Sequence, residues 1–286
     1  PHNWVYLPGT SDPGDYIYTV AGTPPCTSDI SVVSIFENEA PDAGTSSALT
    51  LCLGGGNVNL LSALGGTPDA SGSWVGPAPS NPPFSGLFVP GTNAPGSYTY
   101  TVIGAAPCVN ASSAVTVAVS VPPNAGCSSA LTVCSSLAAF PMTGALGCSP
   151  ALNGAWTGPA PSTAPMVGVF VPGTTAPGLY TYTVTGASPC TNATATLNIA
   201  VNAAANAGND ANLVVCSTSG SQNLFTLLGP NAQAGGSWVG PSGPHSNILI
   251  PSTDQPGTYV YTVPGLAPCP NDQAFVTVVI NGAPNA

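Results

Sequence analysis

The chain has 286 residues, about the length of two ordinary domains or of several small β domains. It contains no lysine or arginine and ten aspartate and glutamate residues, which gives a formal net charge of −10. Without cationic side chains the chain cannot neutralise nucleic-acid phosphates or anionic lipid headgroups. It also lacks any run of 18 or more apolar residues, so the sequence predicts no membrane span. We therefore expect no nucleic-acid partner and no direct membrane insertion.

One recurring pattern organises the whole chain. Four segments share the pattern P-G-x-Y-x-Y-T-V followed by P-C, and their first tyrosines are Tyr16, Tyr98, Tyr180 and Tyr259. The tryptophan of the motif W-x-G-P recurs at Trp74, Trp156 and Trp238. Such regular recurrence is typical of stacked repeats. The sequence predicts the C-terminal half of a repeat over 1–42, followed by complete repeats over 43–124, 125–206 and 207–286.

Short alternating segments predict strands within each repeat. In 43–124 the candidates are 49–52, 58–64, 72–75 and 86–89, followed by the alternating segments around Tyr98 and Val115. Glycine and proline clusters separate them, and no segment has convincing helical periodicity. This pattern predicts an all-β fold of tandem immunoglobulin-like antiparallel β-sandwich repeats. The short joints between repeats favour a rod or filament.

Residues 1–42 cannot form a stable sandwich alone, because they contain only half of the expected strands. The missing half either precedes Pro1 in a longer chain or is supplied by another chain, as in strand complementation between identical chains of a filament. The sequence leaves both alternatives open.

The nine cysteines fit the repeat pattern. One cysteine ends the first strand of each complete repeat and another lies in the turn before its last strand, which predicts the pairs Cys52–Cys108, Cys134–Cys190 and Cys216–Cys269. Cys127 and Cys148 form a further expected pair, and Cys26 is expected to bond to a cysteine outside the chain. Disulfides imply an extracellular location. The alternative of metal ligation lacks the close C-x2-C doublets of zinc sites.

The proline-rich loops are the candidate partner contacts. They span 76–86, 158–168 and 240–247, and the residues that we single out are Pro82, Pro83, Phe84, Pro165, Met166, Pro244 and His245. Plain solvent-facing connection is the alternative. A Ser–His–Asp triad at His245 would need Asp254 or Asp272 in place. The tryptophans could stack on sugars, but their central strand positions favour core packing.

Other polar residues carry weaker signals. Asn110 and Asn192 fit the N-glycosylation pattern at equivalent positions. The weak calcium candidates are Asp12, Asp15, Glu37, Glu39 and Asp42, with a solvated acidic surface as the alternative. The repeat 125–206 contains no carboxylate although it keeps the whole motif set. We therefore predict no catalytic residue, no metal requirement and no cofactor.

The recurring motifs LTLC, SWVGP, YTYTV and APC resemble the immunoglobulin-like repeats of giant cell-surface proteins of Bacteroidetes, including gliding-motility adhesins exported by type IX secretion. The resemblance implies a secreted, surface-displayed structural or adhesive segment without catalytic residues. Its expected partners are neighbouring repeats, identical chains, and surface glycans or proteins. A glycan- or protein-binding module and a fibre subunit joined by strand complementation are the alternatives.

Overall fold

The computed structural model describes residues 5–77, 84–159 and 167–284. The chain divides into two compact units. One comprises Pro1–Pro122 with Ala187–Cys190, and the other comprises Pro123–Gly186 with Thr191–Ala286. Within the described ranges, no helix has the length and apolar character needed to cross a membrane.

The strands follow the sequence repeats. Residues 1–42 contribute β1 (Gly14–Val20) and β2 (Asp29–Ile35). The first complete repeat contains β3 (Ser47–Cys52), β4 (Val58–Asn59), a 3-10 helix (Leu60–Ala63), β5 (Ser73–Val75), β6 (Leu87–Phe88), β7 (Gly96–Val102) and β8 (Ala111–Ser120). The strand predicted over 58–64 is therefore limited to Val58–Asn59, and the helical turn that follows it was missed.

The next two repeats follow the same order. The second contains β9 (Ser129–Cys134), β10 (Phe140–Pro141), a 3-10 helix (Met142–Ala145), β11 (Ala155–Thr157), β12 (Val169–Phe170), β13 (Gly178–Val184) and β14 (Ala193–Asn202). The third contains β15 (Ala211–Cys216), β16 (Gln222–Asn223), a 3-10 helix (Leu224–Leu228), β17 (Ser237–Gly240), β18 (Gly243–His245), β19 (Ile248–Leu249), β20 (Gly257–Val263) and β21 (Asp272–Asn281). The all-β, immunoglobulin-like prediction is confirmed.

Each complete repeat packs a larger sheet on a two-stranded one. In the first repeat the larger sheet has the order β3-β8-β7-β5, and β4 pairs with β6 in the smaller sheet. The first strand runs parallel to the last, whereas the other pairs are antiparallel. The same parallel pairing joins β9 to β14 and β15 to β21. The expectation of purely antiparallel sheets is therefore corrected at the first strand.

A paired aromatic motif centres each core. In the second repeat Tyr180 and Tyr182 are buried, and the Trp156 ring lies 4.9 Å from the Tyr182 ring between centroids. The Tyr182 hydroxyl donates to the Ala151 carbonyl oxygen at 2.5 Å and accepts from the Gly154 N–H at 2.8 Å. The tryptophan therefore belongs to the core, as its strand position favoured, and the buried phenol has its polar end satisfied.

The Asp/Asn-Ala-Gly motif starts each complete repeat with a tight side-chain-capped turn. Asn124 Oδ1 accepts from the Gly126 N–H at 2.8 Å, and the alanine between them is buried. Gly126 has φ 84°, which disfavours any residue with a Cβ, and a Cβ there would lie 2.7 Å from the Gly147 carbonyl oxygen. The motif therefore recurs because the entry to each sandwich requires this turn.

Candidate functional site: the repeat junctions

A disulfide links the second repeat to the third. Cys134 ends β9 opposite Asn202 of β14, and it is bonded to Cys269, which follows the cis peptide Ala267–Pro268. The Asn202 side-chain amide donates to the Ala267 carbonyl oxygen at 2.7 Å. The turn that closes the third repeat is therefore held against the end of the last strand of the second repeat by both a covalent bond and a hydrogen bond.

The preceding disulfide has the same design. Cys52 ends β3 opposite Ser120 of β8 and is bonded to Cys190 in the closing turn of the second repeat. Cys190 Sγ lies 3.5 Å from the Ser120 carbonyl oxygen, just as Cys269 Sγ lies 3.4 Å from that of Asn202. The two bonds span 138 and 135 residues and interlace along the chain.

The predicted pairing of cysteines within each repeat is wrong. Because β9 and β14 run parallel, Cys134 lies at the end of the sheet where both strands finish, while Cys190 precedes the start of β14. The 10 residues of β14 separate the two ends by about 30 Å. A disulfide requires Cα atoms within about 7 Å, so each of these cysteines bonds across a junction instead. The pair Cys127–Cys148 is bonded within the second repeat.

Three thiols are free: Cys26, Cys108 and Cys216. Cys26 is exposed, and its bond to a cysteine outside the chain stays a prediction. Cys216 ends β15 opposite Asn281, the arrangement that Cys134 has with Asn202. A hydrogen bond with the Thr218 hydroxyl, at 3.2 Å, lowers the pKa of the Cys216 thiol and makes the thiolate more accessible at neutral pH.

Two of the loop residues pack inward onto the tyrosine motif. The Phe84 ring lies 4.9 Å from that of Tyr98, and the His245 ring lies 4.8 Å from that of Tyr259. This shared packing accounts for an aromatic ring at both positions. Pro244 lies in β18. Pro82, Pro83, Pro165 and Met166 fall outside the described residues, and partner binding by the loops stays a prediction.

His245 contacts Asp254, but the contacts of both residues are those of a turn and not of a catalytic triad. Its Nε2 lies 3.2 Å from Asp254 Oδ2, and its Nδ1 lies 2.6 Å from the Ser246 carbonyl oxygen. The same Asp254 oxygen accepts from the Ile250 N–H at 2.6 Å. Thr175 performs this turn-bracing role in the second repeat, where its hydroxyl accepts from the Val171 N–H. The carboxylate therefore serves the turn.

The five acidic calcium candidates do not converge. Glu37 Oε1 accepts from the Tyr6 hydroxyl and the Gly9 N–H at 2.8 and 2.9 Å, and Asp15 Oδ1 accepts from the Ser34 hydroxyl. Burial, followed by the Glu37 contact, raises the pKa of Tyr6 to about 12. Asp42 caps the first-repeat turn, while Asp12 accepts the Tyr16 hydroxyl through its backbone carbonyl. Throughout the described part of the chain, no three His, Cys, Asp or Glu side chains lie close enough together to hold a metal ion. Glu39 therefore belongs to no such group.

The two glycosylation candidates brace the closing turns. Asn110 Oδ1 accepts from the Gly104 N–H at 3.1 Å, and Asn192 Oδ1 accepts from the Gly186 N–H at 3.0 Å. Asn271, which is outside the N-glycosylation pattern, makes the same bond to Gly265. The recurring asparagine is therefore explained by the turn. Both candidate side chains are exposed, and glycosylation stays a prediction.

Sequence reasoning missed the polar residues of the junctions. Asn202 ends β14, and Ser135 Oγ accepts from the Ala204 N–H at 2.9 Å where the chain leaves the second repeat. The available signal was the recurrence of Asn38, Ser120, Asn202 and Asn281 at one position of the repeat.

Comparisons with known proteins identify a fold likeness only. No protein-family model matches the chain, and no curated protein matches it. A titin I-band fragment, I67–I69, is 11% identical with a TM-score of 0.39, covering 85% of this chain and 99% of the fragment. Sidekick-1 immunoglobulin domains 1–4 are 11% identical with a TM-score of 0.32, covering 94% of each chain. The eight N-terminal immunoglobulin domains of Down Syndrome Cell Adhesion Molecule are 13% identical with a TM-score of 0.46, covering 94% of this chain and 40% of that one.

Proposed function

We propose that the chain is a structural and adhesive segment of a long extracellular array of immunoglobulin-like repeats, in which disulfides transmit load from one repeat to the next. The observation that carries this proposal is the pair of interlaced bonds Cys52–Cys190 and Cys134–Cys269. A bond that only stabilised one sandwich would close within that sandwich. These bonds instead join successive repeats at equivalent positions.

The composition supports an exposed extracellular location in which the chain resists degradation. Disulfides persist in oxidising extracellular compartments, and a chain without lysine or arginine has no trypsin cleavage site. The resemblance to Bacteroidetes surface repeats favours display on a cell surface after type IX secretion, with a role in adhesion or gliding motility. The repeats 43–124, 125–206 and 207–286 are the domains of this proposal, and the array is a rod or filament. We propose no enzymatic activity.

The interlaced bonds restrict how far the chain can be stretched. The shortest covalent path from Pro1 to Ala286 follows the chain to Cys52 and crosses the disulfide to Cys190. It then runs backward through the second repeat to Cys134, crosses to Cys269 and follows the chain to Ala286. This path uses less than half of the chain, whereas the reduced path uses all 286 residues. At about 3.5 Å per residue the fully extended lengths are roughly 400 Å oxidised and roughly 1,000 Å reduced.

Single-molecule force spectroscopy of the whole chain tests this proposal. We expect a final extension of roughly 400 Å without reductant and roughly 1,000 Å with it. Replacing Cys52 and Cys134 by serine should restore about 900 Å, whereas replacing Cys127 and Cys148 should add only about 20 Å. If the oxidised wild-type chain stretched as far as the reduced chain, the result would contradict the proposal.

A groove beside His245 favours a second candidate, a glycan- or protein-binding role of loop 240–247. It has a volume of about 490 Å³ and includes Trp238, Tyr261 and Phe225 in its lining. Trp238 and Tyr261 are buried, so the half-buried Phe225 and His245 are the rings of this groove that suit a sugar. Glycan-array binding by the whole chain, lost on His245→Ala and kept on Phe84→Ala, would support this role, and equal binding by both variants would contradict it.

A further inference from the structure

The hairpin β1–β2 has an exposed apolar face that is buried in every complete repeat. Its residues Tyr18, Val20 and Val33 are 49%, 53% and 58% exposed. The residues at the same repeat positions in the first complete repeat, Tyr100, Val102 and Val115, are 1%, 3% and 0% exposed. The hairpin has the sequence pattern of the last two strands of a complete repeat, so its exposed face carries the residues that form the core there.

The complete repeats show which element covers this face. In each of them the first strand pairs in parallel with the last strand, as β3 does with β8, and inward leucines such as Leu49 and Leu51 pack against the core. In the described part of the chain, β2 pairs only with β1. Its other edge corresponds to the edge of β8 that receives β3, so it is suited to a strand of the same kind.

Cys108 lies beside this edge in the geometry of a junction half-cystine. The Asn38 side-chain amide donates to the Ala106 carbonyl oxygen at 2.7 Å, and Cys108 Sγ lies 3.4 Å from the Asn38 carbonyl oxygen. The bonded junction has both distances unchanged: 2.7 Å from Asn202 to Ala267 and 3.4 Å from Cys269 Sγ to Asn202.

In that bonded junction the cysteine opposite Asn202 is Cys134, the last residue of the first strand. A strand added to β2 in the same register would place its own last residue opposite Asn38. That residue would be the disulfide partner of Cys108. The exposed face and the free thiol therefore both suit one kind of segment, a first strand that ends in cysteine.

We propose that the β1–β2 face and Cys108 together form a docking site for the first half of another repeat of this type, a segment whose first strand ends in cysteine. The segment adds a parallel strand to β2, buries Tyr18, Val20 and Val33, and forms a disulfide with Cys108. This inference rests on the proposed linked array, because it extends the same junction by one repeat.

The covalent step is a thiol–disulfide exchange. The docking cysteine arrives as a mixed disulfide with a small thiol, and the Cys108 thiolate attacks its sulfur. The new bond joins Cys108 to that cysteine, the mixed disulfide breaks, and the small thiol leaves with the electron pair. The small-molecule disulfide that first formed the mixed disulfide is the oxidant.

A synthetic peptide of residues 43–56, which contains β3, is the probe. Its Cys52 is activated as a mixed disulfide with 2-nitro-5-thiobenzoate, so that each exchange releases a coloured thiolate. The target is the full chain with Cys26→Ser and Cys216→Ser, which leaves Cys108 as its free thiol. A peptide with Leu49→Ser and Leu51→Ser tests whether strand docking guides the reaction.

We expect the native peptide to react with Cys108 at least about tenfold faster than the double-serine peptide, because docking raises the local concentration of the sulfur. The matched control keeps Cys216 free and replaces Cys26 and Cys108 by serine. Cys216 ends β15, which is already paired within a complete repeat, so it should react with both peptides at similar rates.

Hydrogen exchange on the same Cys26→Ser, Cys216→Ser chain gives a second measurement. Attachment of the native peptide should slow exchange of the β2 amides by at least about tenfold, because a parallel strand hydrogen-bonds to them. Equal peptide selectivity at Cys108 and Cys216, or unchanged β2 exchange after attachment, would overturn the docking site. Neither result would alter the expected stretching of the internal disulfides, so the two proposals fail separately.

Discussion

The first and second complete repeats anchor their entry segments by different chemistry around the same core. In the first, the Asp42 N–H donates to Asp69 Oδ2 at 2.9 Å. In the second, the residue at the position of Asp69 is Ala151, which has no side-chain acceptor, and the disulfide Cys127–Cys148 ties the entry to the same region. The hydrogen bond to Asp69 is therefore replaced in the second repeat by the disulfide, together with hydrogen bonds from the Asn124 side-chain amide to the Cys148 and Ser149 carbonyl oxygens, while the sandwich is unchanged.

The backbone at the entry to the two repeats has the same conformation whether a hydrogen bond or a disulfide anchors it. Thr45 and Gly65 form a β-bridge in the first repeat, as Cys127 and Gly147 do in the second. Gly66 has φ 77° at the position where Cys148 has φ 62°. The side chains differ, but the local chain path is the same.

Removing the additional disulfide should give the largest effect. With Cys127→Ser and Cys148→Ser, the loss of a crosslink that closes 21 residues should destabilise the second repeat by about 3 kcal/mol. Hydrogen exchange measured on peptic fragments should show faster opening within 125–206 and little change within 43–77. Equal loss of protection in both repeats would mean that the disulfide does not act as a local anchor.

Moving the disulfide into the first repeat should give the next largest effect. Thr45→Cys with Gly66→Cys should form the bond spontaneously in air and stabilise the first repeat by about 2 kcal/mol, somewhat less than the ideal crosslink. A Cβ at Gly66 would meet only the Gly44 Cα, at 3.7 Å, so the site has room, but its φ of 77° strains a cysteine there and lowers the gain. Mass spectrometry would detect the bond, and failure to oxidise would show that the shared chain path is insufficient.

The all-β class and the aromatic core could be predicted from sequence, because the recurring motifs align the tyrosine strands and the tryptophans. The repeat boundaries stay a prediction. Tyr98, Tyr100 and Val102 alternate with Thr99 and Thr101 in the way that half-buried strands require. The 3-10 helix at Leu60–Ala63 could not be predicted, because so short a segment carries too little periodicity to separate a strand from a turn.

The cysteine pairing failed for a topological reason. The spacing from Cys52 to Cys108 is repeated in Cys134 to Cys190, but spacing alone does not give strand direction. The parallel alignment of first and last strands, which separates the two cysteines of one repeat, depends on contacts between residues that are far apart in the chain. The junction partner Asn202 was missed for the same reason, since its role exists only beside the next repeat.

Removing a shared core hydrogen bond should have a moderate and equal effect in both repeats. Tyr182→Phe leaves the Gly154 N–H and the Ala151 carbonyl without the phenol, and Tyr100→Phe does the same to Gly72 and Asp69. We expect a loss of about 2 kcal/mol in each case, because partly buried polar groups lose their partner. Chemical denaturation followed by hydrogen exchange would measure both, and a twofold difference between the repeats would show that the anchors alter the core.

The smallest effect should come from Asp69→Ala, which removes the side-chain acceptor but keeps the backbone carbonyl that binds Tyr100. We expect a loss of about 1 kcal/mol in the first repeat, since the bond is exposed. In the background that carries Thr45→Cys and Gly66→Cys, the same substitution should cost less than half as much, because the disulfide already fixes the entry. The double-mutant cycle measures this coupling directly. If the two effects on the free energy of unfolding were fully additive, the hydrogen bond and the disulfide would restrain different motions. The two anchors would then occupy the same place in the structure without stabilising the same part of it.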